Sequence, residues 1–285
     1  MAELAEDRFL AGRLVLKGGT ALNIYHGDLD RLSVDADLNY VGRIDRTEME
    51  AERELIHDHI EAVAEELGYS VAIDLNDHAA RVYLLRYIAA NGNTDLIKID
   101  LNMLERVPVL VPVDVRPAPP LLEIDGPPVA CLQLTELAGS KLATLLLRGA
   151  CRDLFDVAVL SKRTDIDWVL ARKIALFHGF LDHAGLETML LRRPEDITRT
   201  DFDRDLRNLL RKGDSVSLDE LKAAVHPSLG TLFPLDDREE SFRRELERGR
   251  FDLPLLFGDL PINHDLARHP GMEWRLRNPR ARLPR

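Results

Sequence analysis

The sequence predicts an α/β fold in which a mixed sheet with packed helices is followed by a C-terminal helical domain. Between residues 14 and 103, short apolar or alternating runs typical of strands are interrupted by helical spacing. Beyond residue 135, apolar residues recur almost only at helical spacing. Prolines crowd the stretch between these regions. We therefore expect a first domain at residues 1–115, an extended crossing segment at 116–132 and a helical domain at 133–285.

The composition is that of a globular protein, and we expect a cytoplasmic one. The chain has 285 residues, 45% hydrophobic and 31% charged, which excludes disorder as the main state. A net charge of −11 speaks against broad non-specific binding of nucleic acid. The two cysteines, Cys131 and Cys151, form neither a disulfide framework nor a metal-ligand spacing. No apolar run is long enough to span a bilayer, so we expect no membrane partner.

The first motif is a strand, a glycine turn and a helix. Leu14 to Leu16 is a short apolar run that ends before Gly18-Gly19, and the residues from Thr20 to Tyr25 have helical spacing. Such a turn leaves backbone N–H groups free at a helix start, where they and the helix dipole favour a phosphate. A Gly-Gly turn on its own is also ordinary in loops.

A strand with one polar face is predicted next, followed by a long helix. From residue 32 to residue 39, apolar and polar residues alternate, which is typical of a half-buried strand. The apolar set is Leu32, Val34, Ala36 and Leu38, and the polar set is Ser33, Asp35, Asp37 and Asn39. The capping box Thr47-x-x-Glu50 predicts the start of the helix, and Gly68 predicts its end.

The remaining elements extend the sheet and then build the helical domain. Strands are predicted at residues 70–75, 81–89 and 94–103, the last two joined by a turn around Gly92, as an antiparallel extension of the sheet. Helical segments are predicted near residues 135–163, 167–178, 202–211, 217–225 and 238–249.

Asp35 and Asp37 are the strongest candidates for chemistry. Two positions apart on a strand, they leave the same face about 6.5 to 7 Å apart. Because such carboxylates repel one another, Mg²⁺ between them is favoured, and two ions could clamp the attacking and leaving oxygens at phosphorus. A lone D-x-D is weak evidence, since surface strands often carry alternating acids. Asp100, flanked by apolar residues, adds a carboxylate that needs either a metal or a partner such as Lys98.

Together these motifs resemble a known family. The segments that carry the resemblance are Leu16-Lys-Gly-Gly-Thr-Ala-Leu22, Arg31-Leu-Ser-Val-Asp-Ala-Asp-Leu38, Lys98-Ile-Asp100, Glu136-Leu-Ala-Gly-Ser-Lys141 and Arg152-Asp-Leu-Phe-Asp156. They are similar to nucleotidyltransferases of the polymerase-beta type. They resemble more closely the AbiEii/AbiGii toxins of type IV toxin–antitoxin and phage-defence systems, which include the mycobacterial MenT tRNA-modifying toxins. The resemblance covers residues 14–160 well and the helical remainder loosely.

The resemblance implies transfer of a nucleoside monophosphate from an NTP to an acceptor hydroxyl, with two Mg²⁺ ions bound in a catalytic first domain. The implied metal ligands are Asp35, Asp37 and Asp100. The implied nucleotide-binding residues are Lys17, Gly18, Gly19, Thr20, Arg31, Ser33, Lys141, Arg148 and Arg152. Lys141 and Asp156 complete the implied catalytic set.

The helical motif also fits a triphosphate by geometry, provided that one helix runs through Gly149. At about 100° per residue, Arg148, Arg152 and Asp156 lie within about 60° of Lys141, so the four share a face. Cations on one face suit a triphosphate, and Asp156 would hold a cation in register. Asp153 points about 120° away and is assigned to the fold. The structural alternative is an ordinary solvated pair of Arg152 with Asp156.

The resemblance implies an RNA acceptor, with the 3′ end of tRNA as the expected one. Blocked aminoacylation and growth arrest would follow, and a cognate antitoxin would be a partner. Since the net charge is acidic, the RNA has to meet local basic surfaces. Candidates are Arg43 and Arg46 beside the D-x-D strand, and the helical arginines. A further candidate is a C-terminal tail with Trp274 and the arginines Arg268, Arg275, Arg277, Arg280, Arg282 and Arg285.

Three alternatives remain open from the sequence. A nucleotidyltransferase of the aminoglycoside-modifying type would share the metal ligands but need no RNA. A non-catalytic module would bind an NTP or an antitoxin without releasing pyrophosphate. Finally, Arg53 with His59 and Arg172 with His178 have the R-x5-H spacing of metal-independent ribonucleases, although this spacing arises readily by chance.

Overall fold

A mixed sheet organises the first half of the chain. The computed structural model describes residues 1–27, 30–120 and 126–278. The strands are β1 (Leu14–Lys17), β2 (Ala36–Tyr40), β3 (Ser70–Asn76), β4 (Ala80–Ile88), β5 (Thr94–Asn102), β6 (Asp114–Arg116) and β7 (Val129–Cys131). Their order across the sheet is β3-β4-β5-β2-β1-β7-β6. β2 is parallel to β5 and β1 to β7, whereas the other neighbours are antiparallel. The predicted mixed sheet is thus confirmed.

Helices flank the sheet and form the second half. In the first half they are α1 (Ala2–Glu6), α2 (Gly18–Thr20) and α3 (Arg46–Glu66), and α2 continues directly into a π-helical turn, Ala21–His26. In the second half they are α4 (Leu134–Arg148), α5 (Cys151–Leu160), α6 (Trp168–Leu181), α7 (Gly185–Leu191), α8 (Arg199–Asp205), α9 (Leu218–Gly230), α10 (Asp237–Glu247), α11 (Leu253–Phe257) and α12 (Pro270–Arg277). The α/β half followed by a helical half agrees with the predicted fold class.

The packing of α3 decides which face of the sheet is free. Ile56 and Ile60 of α3 are fully buried in the same apolar core as Leu38 of β2 and Leu101 of β5. Because side chains alternate along a strand, the residues just before Leu38 and Leu101 point to the opposite face. Those residues are both aspartates, so the fold directs carboxylates away from the core and toward the helical half.

The two halves also share an apolar core. Leu22, in the turn that continues α2, packs with Leu134 and Ala138 of α4 and with Leu160 of α5. The helical turn that follows Gly18-Gly19 therefore packs directly against the helical half.

The strand predicted at residues 32–39 begins only at Ala36. Leu32 and Val34, predicted to lie on the buried face, are 57% and 58% exposed. The reason is that the preceding chain pairs with the helical half: the backbone N–H of Leu32 donates to the carbonyl of Leu209 at 2.7 Å, and Arg31 forms an isolated β-bridge with Leu210.

Two helix boundaries also differ from the prediction. α3 begins at Arg46, because the Asp45 carboxylate accepts the backbone N–H of Glu48 at 3.0 Å and caps the helix instead of Thr47. The helix predicted at residues 135–163 is broken into α4 and α5, because Gly149 has φ of +67°, a left-handed conformation that ends a helix. Gly68, with φ of +83°, follows α3 as predicted.

The crossing segment contributes β7 to the sheet, and β6 ends at its first residue, Arg116. β7 pairs with β6 and with β1. Residues 121–125 of that segment lie outside the described residues, and the division at 115 and 133 stays a prediction. Both cysteines are buried and free. No helix in the described parts of the chain has the length and apolar character needed to cross a membrane.

Candidate active site

A row of charged side chains crosses the free face of the sheet. Asp37 on β2 lies opposite Asp100 on the parallel strand β5 and opposite Lys17 on the antiparallel strand β1. Asp35 lies just before β2, and its charge acts on the Asp37 carboxylate. The sheet register thus brings Asp37 and Asp100 together with Asp35 nearby, a relation that the sequence could suggest only through the family resemblance.

The electrostatics of this row are set by crowding. Burial raises the pKa of Asp37, and the negative charges of Asp100 and Asp35 act in the same direction, whereas Lys17 and Lys141 oppose them. The Asp100 carboxylate accepts a hydrogen bond from the Lys98 ammonium at 3.1 Å, the partner weighed from the sequence. Repulsion among these carboxylates is the property that a bound cation would relieve.

Lys17 has a partner that sequence reasoning missed. Its ammonium lies 2.6 Å from an Oε atom of Glu105, which follows β5. Burial alone would raise the pKa of Glu105, but the positive charge of Lys17 lowers this pKa to about 2. Glu105 therefore stays ionised and fixes the position of Lys17 beside Asp37.

The glycine turn is shaped by close approach. Gly18 has φ of +69°, and a Cβ atom there would lie 2.1 Å from a carboxylate oxygen of Asp37. A Cβ atom on Gly19 would lie 2.8 Å from a guanidinium nitrogen of Arg31 and 2.8 Å from the Ser33 hydroxyl. Only glycines let the turn lie this close to the aspartate strand.

Thr20 ties the turn to the segment that leads into β2. Its hydroxyl lies 3.1 Å from the Ser33 hydroxyl and donates a hydrogen bond to the backbone carbonyl of Asp35. The predicted residues Gly18, Gly19, Thr20 and Ser33 thus form one structure around Asp35 and Asp37.

A buried ion network supports the turn from the helical half. The fully buried Asp156 carboxylate accepts two hydrogen bonds from Arg31, both of 2.7 Å, and contacts the Lys141 ammonium at 2.8 Å. Lys141 also contacts Asp153 at 3.1 Å. Although burial opposes ionisation, these cations hold the pKa of Asp156 below its usual value. Asn23, also missed from the sequence, lies 3.4 Å from Asp156 and bonds the carbonyl of Gly19 at 2.9 Å.

Arg148 is held by Asp153, not by Asp156. Its guanidinium donates two hydrogen bonds of 2.5 and 2.8 Å to the fully buried Asp153 carboxylate. These bonds raise the pKa of Arg148, and the negative charges of Asp37 and Asp156 act in the same direction. Asp153, assigned to the fold from the sequence, therefore orients a predicted nucleotide-binding residue.

Arg152 is the predicted site residue that the structure does not bring to this cluster. It is exposed on α5, and its charge acts on Asp205 of α8. The single helix face assumed for Lys141, Arg148, Arg152 and Asp156 was wrong because the chain breaks at Gly149. The signal was available, because a glycine after a basic last turn is a common helix stop.

The carboxylates fit a hard cation without forming a ready-made centre. Among the described residues, no three His, Cys, Asp or Glu side chains converge closely enough to constitute a metal site. Asp37 and Asp100 on neighbouring strands, with Asp35 just before β2, nevertheless offer only oxygen ligands, as Mg²⁺ prefers. A cation at Asp100 would compete with Lys98 for this carboxylate.

Comparison with solved structures defines the class of fold. The nucleotidyltransferase toxin MenT4 from Mycobacterium tuberculosis aligns with a TM-score of 0.58 and 21% identity over 83% of each chain. A candidate nucleotidyltransferase from H. pylori aligns with a TM-score of 0.49 and 17% identity over 88% of this chain and 93% of that one. No curated protein sequence matches the chain. The architecture is that of a nucleotidyltransferase toxin.

The family follows from the sequence match. The model for the nucleotidyl transferase AbiEii toxin of type IV TA systems matches residues 1–245. The chain belongs to this family of nucleotidyltransferase toxins. Membership implies an NTP as substrate and an antitoxin as partner.

Proposed function

We propose that this protein transfers a nucleoside monophosphate from an NTP to the 3′ hydroxyl of tRNA, which blocks aminoacylation and growth. The observation that carries the proposal is the row of Lys17, Asp37 and Asp100 across three adjacent strands, with Asp35 close enough for its charge to act on Asp37. Lys17 stands at the β1 end of this row, and Asp37 and Asp100 stand toward β5. We assign the β1 side to the triphosphate and the β5 side to the attacking hydroxyl.

The triphosphate would lie beside β1. There Lys17 and Arg148 present positive charges, each held in place by a carboxylate, Glu105 and Asp153. Backbone N–H groups of the turn at Gly18 and Gly19 would receive phosphate oxygens. Charges fixed before binding stabilise developing negative charge without reorganisation. In this proposal Arg31, Lys141 and Asp156 position the site and do not contact the phosphates. The ion network that they form holds the chain at Arg31 beside Gly19.

The hydroxyl would be activated on the β5 side. Asp35, Asp37 and Asp100 would be the protein ligands of two Mg²⁺ ions. When bound, Mg²⁺ lowers the pKa of the acceptor hydroxyl and offsets the charge of the leaving pyrophosphate. Lys98 would release Asp100 for this role. Thr20 would keep Asp35 in position through the hydrogen bond to its carbonyl.

The basic surfaces that the sequence offers for RNA binding differ in how well the structure supports that role. Arg43 and Arg46 are paired with Glu52 and Glu50 and follow the end of β2 that is remote from Asp35. The C-terminal tail is in part helix α12, in which Met272 is fully buried. Arg280, Arg282 and Arg285 lie outside the described residues.

The two R-x5-H pairs do not converge. Arg53 donates to Asn76 while His59 contacts Asp7. Arg172 contacts Glu239, and His178 bonds Ser140 at 3.1 Å. The observed partners therefore favour structural roles over a ribonuclease centre.

The test incubates the protein with Mg²⁺, total tRNA and each α-labelled NTP in turn. Wild type is expected to label tRNA, and Asp35→Ala is expected to lose labelling while keeping its circular dichroism spectrum and Tm. Asp74→Ala is the matched control, because Asp74 is an exposed acid on β3 of the same sheet. Its labelling should equal that of wild type.

The alternatives give different results in the same assay. A folded Asp35→Ala variant that still labels tRNA would contradict the assignment. Pyrophosphate release with a small-molecule acceptor but not with tRNA would favour an enzyme of the aminoglycoside-modifying type. NTP binding without pyrophosphate release would indicate a binding module. RNA cleavage that survives EDTA would indicate a ribonuclease.

A further inference from the structure

A basic cavity lies in the helical half, outside every motif used above. It has a volume of about 460 Å³ and lies between α8 and the loop of residues 211–216. The basic residues that line it are Arg199, Arg207, Arg211 and Lys212, and the acidic residue is Asp214. In a chain with a net charge of −11, this local excess of positive charge marks a place for an anion.

Two of the arginines are held in place before any ligand arrives. The guanidinium groups of Arg199 and Arg207 lie 4.9 and 5.6 Å from the centre of the Phe202 ring. Both also contact the Asp203 carboxylate, at 3.3 and 2.6 Å. When Asp203 and the lining residue Asp214 are counted against the four basic side chains, an excess of two positive charges remains.

The cavity is joined to the segment that carries the catalytic aspartates. Its lining residue Leu210 forms the β-bridge with Arg31, and the Leu209 carbonyl accepts the N–H of Leu32 at 2.7 Å. Asp35 follows Leu32 by three residues, which is about 10 Å of extended chain. A group bound in the cavity is therefore within a short distance of the proposed reaction centre.

We propose that this cavity binds backbone phosphates of the RNA acceptor close to its reacting 3′ end. Guanidinium groups suit phosphate oxygens because their N–H donors form a fork. The cavity is also joined to the segment that leads to Asp35, through the bridge of Leu210 with Arg31. This inference rests on the proposed function, since it assigns the acceptor side of the same reaction.

The test compares two double variants with the same change in charge. Arg207→Glu with Lys212→Glu alters the cavity, and Arg244→Glu with Arg248→Glu alters two exposed arginines, one in α10 and one just after it. Binding of fluorescent tRNA is measured by anisotropy at several salt concentrations without NTP. The cavity variant is expected to bind about tenfold more weakly, with a salt slope smaller by about 2, and its NTP affinity should be unchanged. The α10 variant should lose much less.

The outcomes separate this inference from the proposed function. The binding measurement needs no transfer, so it can be read even if wild type labels nothing. Equal tRNA affinity of the two double variants would overturn the cavity assignment. Lys212→Ala, a single change in an exposed loop, keeps the test readable if the double variant fails to fold, and unchanged binding there would also count against the proposal.

Discussion

Asp156→Asn tests how much the buried ion network contributes to the fold. Asparagine keeps the size of the side chain but removes the charge that faces Arg31 and Lys141. Arg31 is 4% exposed and Lys141 is 6% exposed, so neither can recover its hydration in place. Removing one partner of a buried ion pair costs about 3 to 5 kcal/mol. That is a large share of the about 5 to 15 kcal/mol that stabilises a typical protein.

The chain supplies a matched control for this substitution. Asp165 accepts the same pair of hydrogen bonds from Arg163, at 2.9 and 2.6 Å, but its side chain is 57% exposed. An exposed pair contributes about 0 to 1 kcal/mol. Urea unfolding followed by circular dichroism gives the free energy of unfolding of wild type, Asp156→Asn and Asp165→Asn. Equal losses in the two variants would refute the argument from burial.

The same variant has a signature in pH. Burial acts to raise the pKa of Asp156, but Lys141 and Arg31 lower it below the ordinary value of 3.8. The folded state therefore holds its proton less tightly than the unfolded state. The stabilisation is complete above pH 3.8 and is lost as the pH falls toward the lowered pKa of the folded protein. Wild type should lose stability more steeply than Asp156→Asn below that pH.

Two further predictions concern the glycine turn and a buried histidine. An alanine in a left-handed conformation costs about 1 to 2 kcal/mol. Gly18→Ala should lower the free energy of unfolding by more than this and should abolish transfer, because its Cβ would also clash with Asp37. Gly92→Ala, at φ of +81° with open space, should cost only the backbone strain, and equal losses in Tm would contradict the role of the close approach. Burial lowers the pKa of His269 to about 3. In the unfolded chain the ring protonates below about pH 6.5, whereas in the folded protein it stays neutral down to about pH 3. The free energy of unfolding should therefore fall by up to about 1.4 kcal/mol for each pH unit between pH 6.5 and 3. Urea titrations at several pH values should show a smaller dependence on pH for His269→Asn.

The parts of the site that could be predicted from the sequence are local in the chain. The Gly-Gly turn and the D-x-D strand each lie within a few residues, where alternation and turn chemistry are informative. The pairing of Arg31 with Asp156 spans 125 residues, and no periodicity relates residues that far apart. Register between strands also depends on the whole sheet, so the alignment of Asp37 with Asp100 had only the family resemblance to support it.

The errors have physical causes of the same kind. Alternation from residue 32 onward correctly identified the buried face at Ala36 and Leu38. It could not show that the backbone of Leu32 bonds to Leu209, because that bond is made by a distant segment. Apolar spacing continues on both sides of Gly149, and it hid the local stop signal of that glycine. The positive φ of Gly149 and the extended Ala150 separate α4 from α5.

Asp153 and Asp156 pair with Arg148 and Arg31, and this has a consequence for biosynthesis. A nascent chain that ends before residue 153 already carries every carboxylate of the sheet, but it lacks the anchors of Arg148 and Arg31. The buried ion network is completed only after residues 153–156 have left the ribosome. Translation itself therefore imposes a delay between the synthesis of the strands that carry Asp37 and Asp100 and the completion of this network.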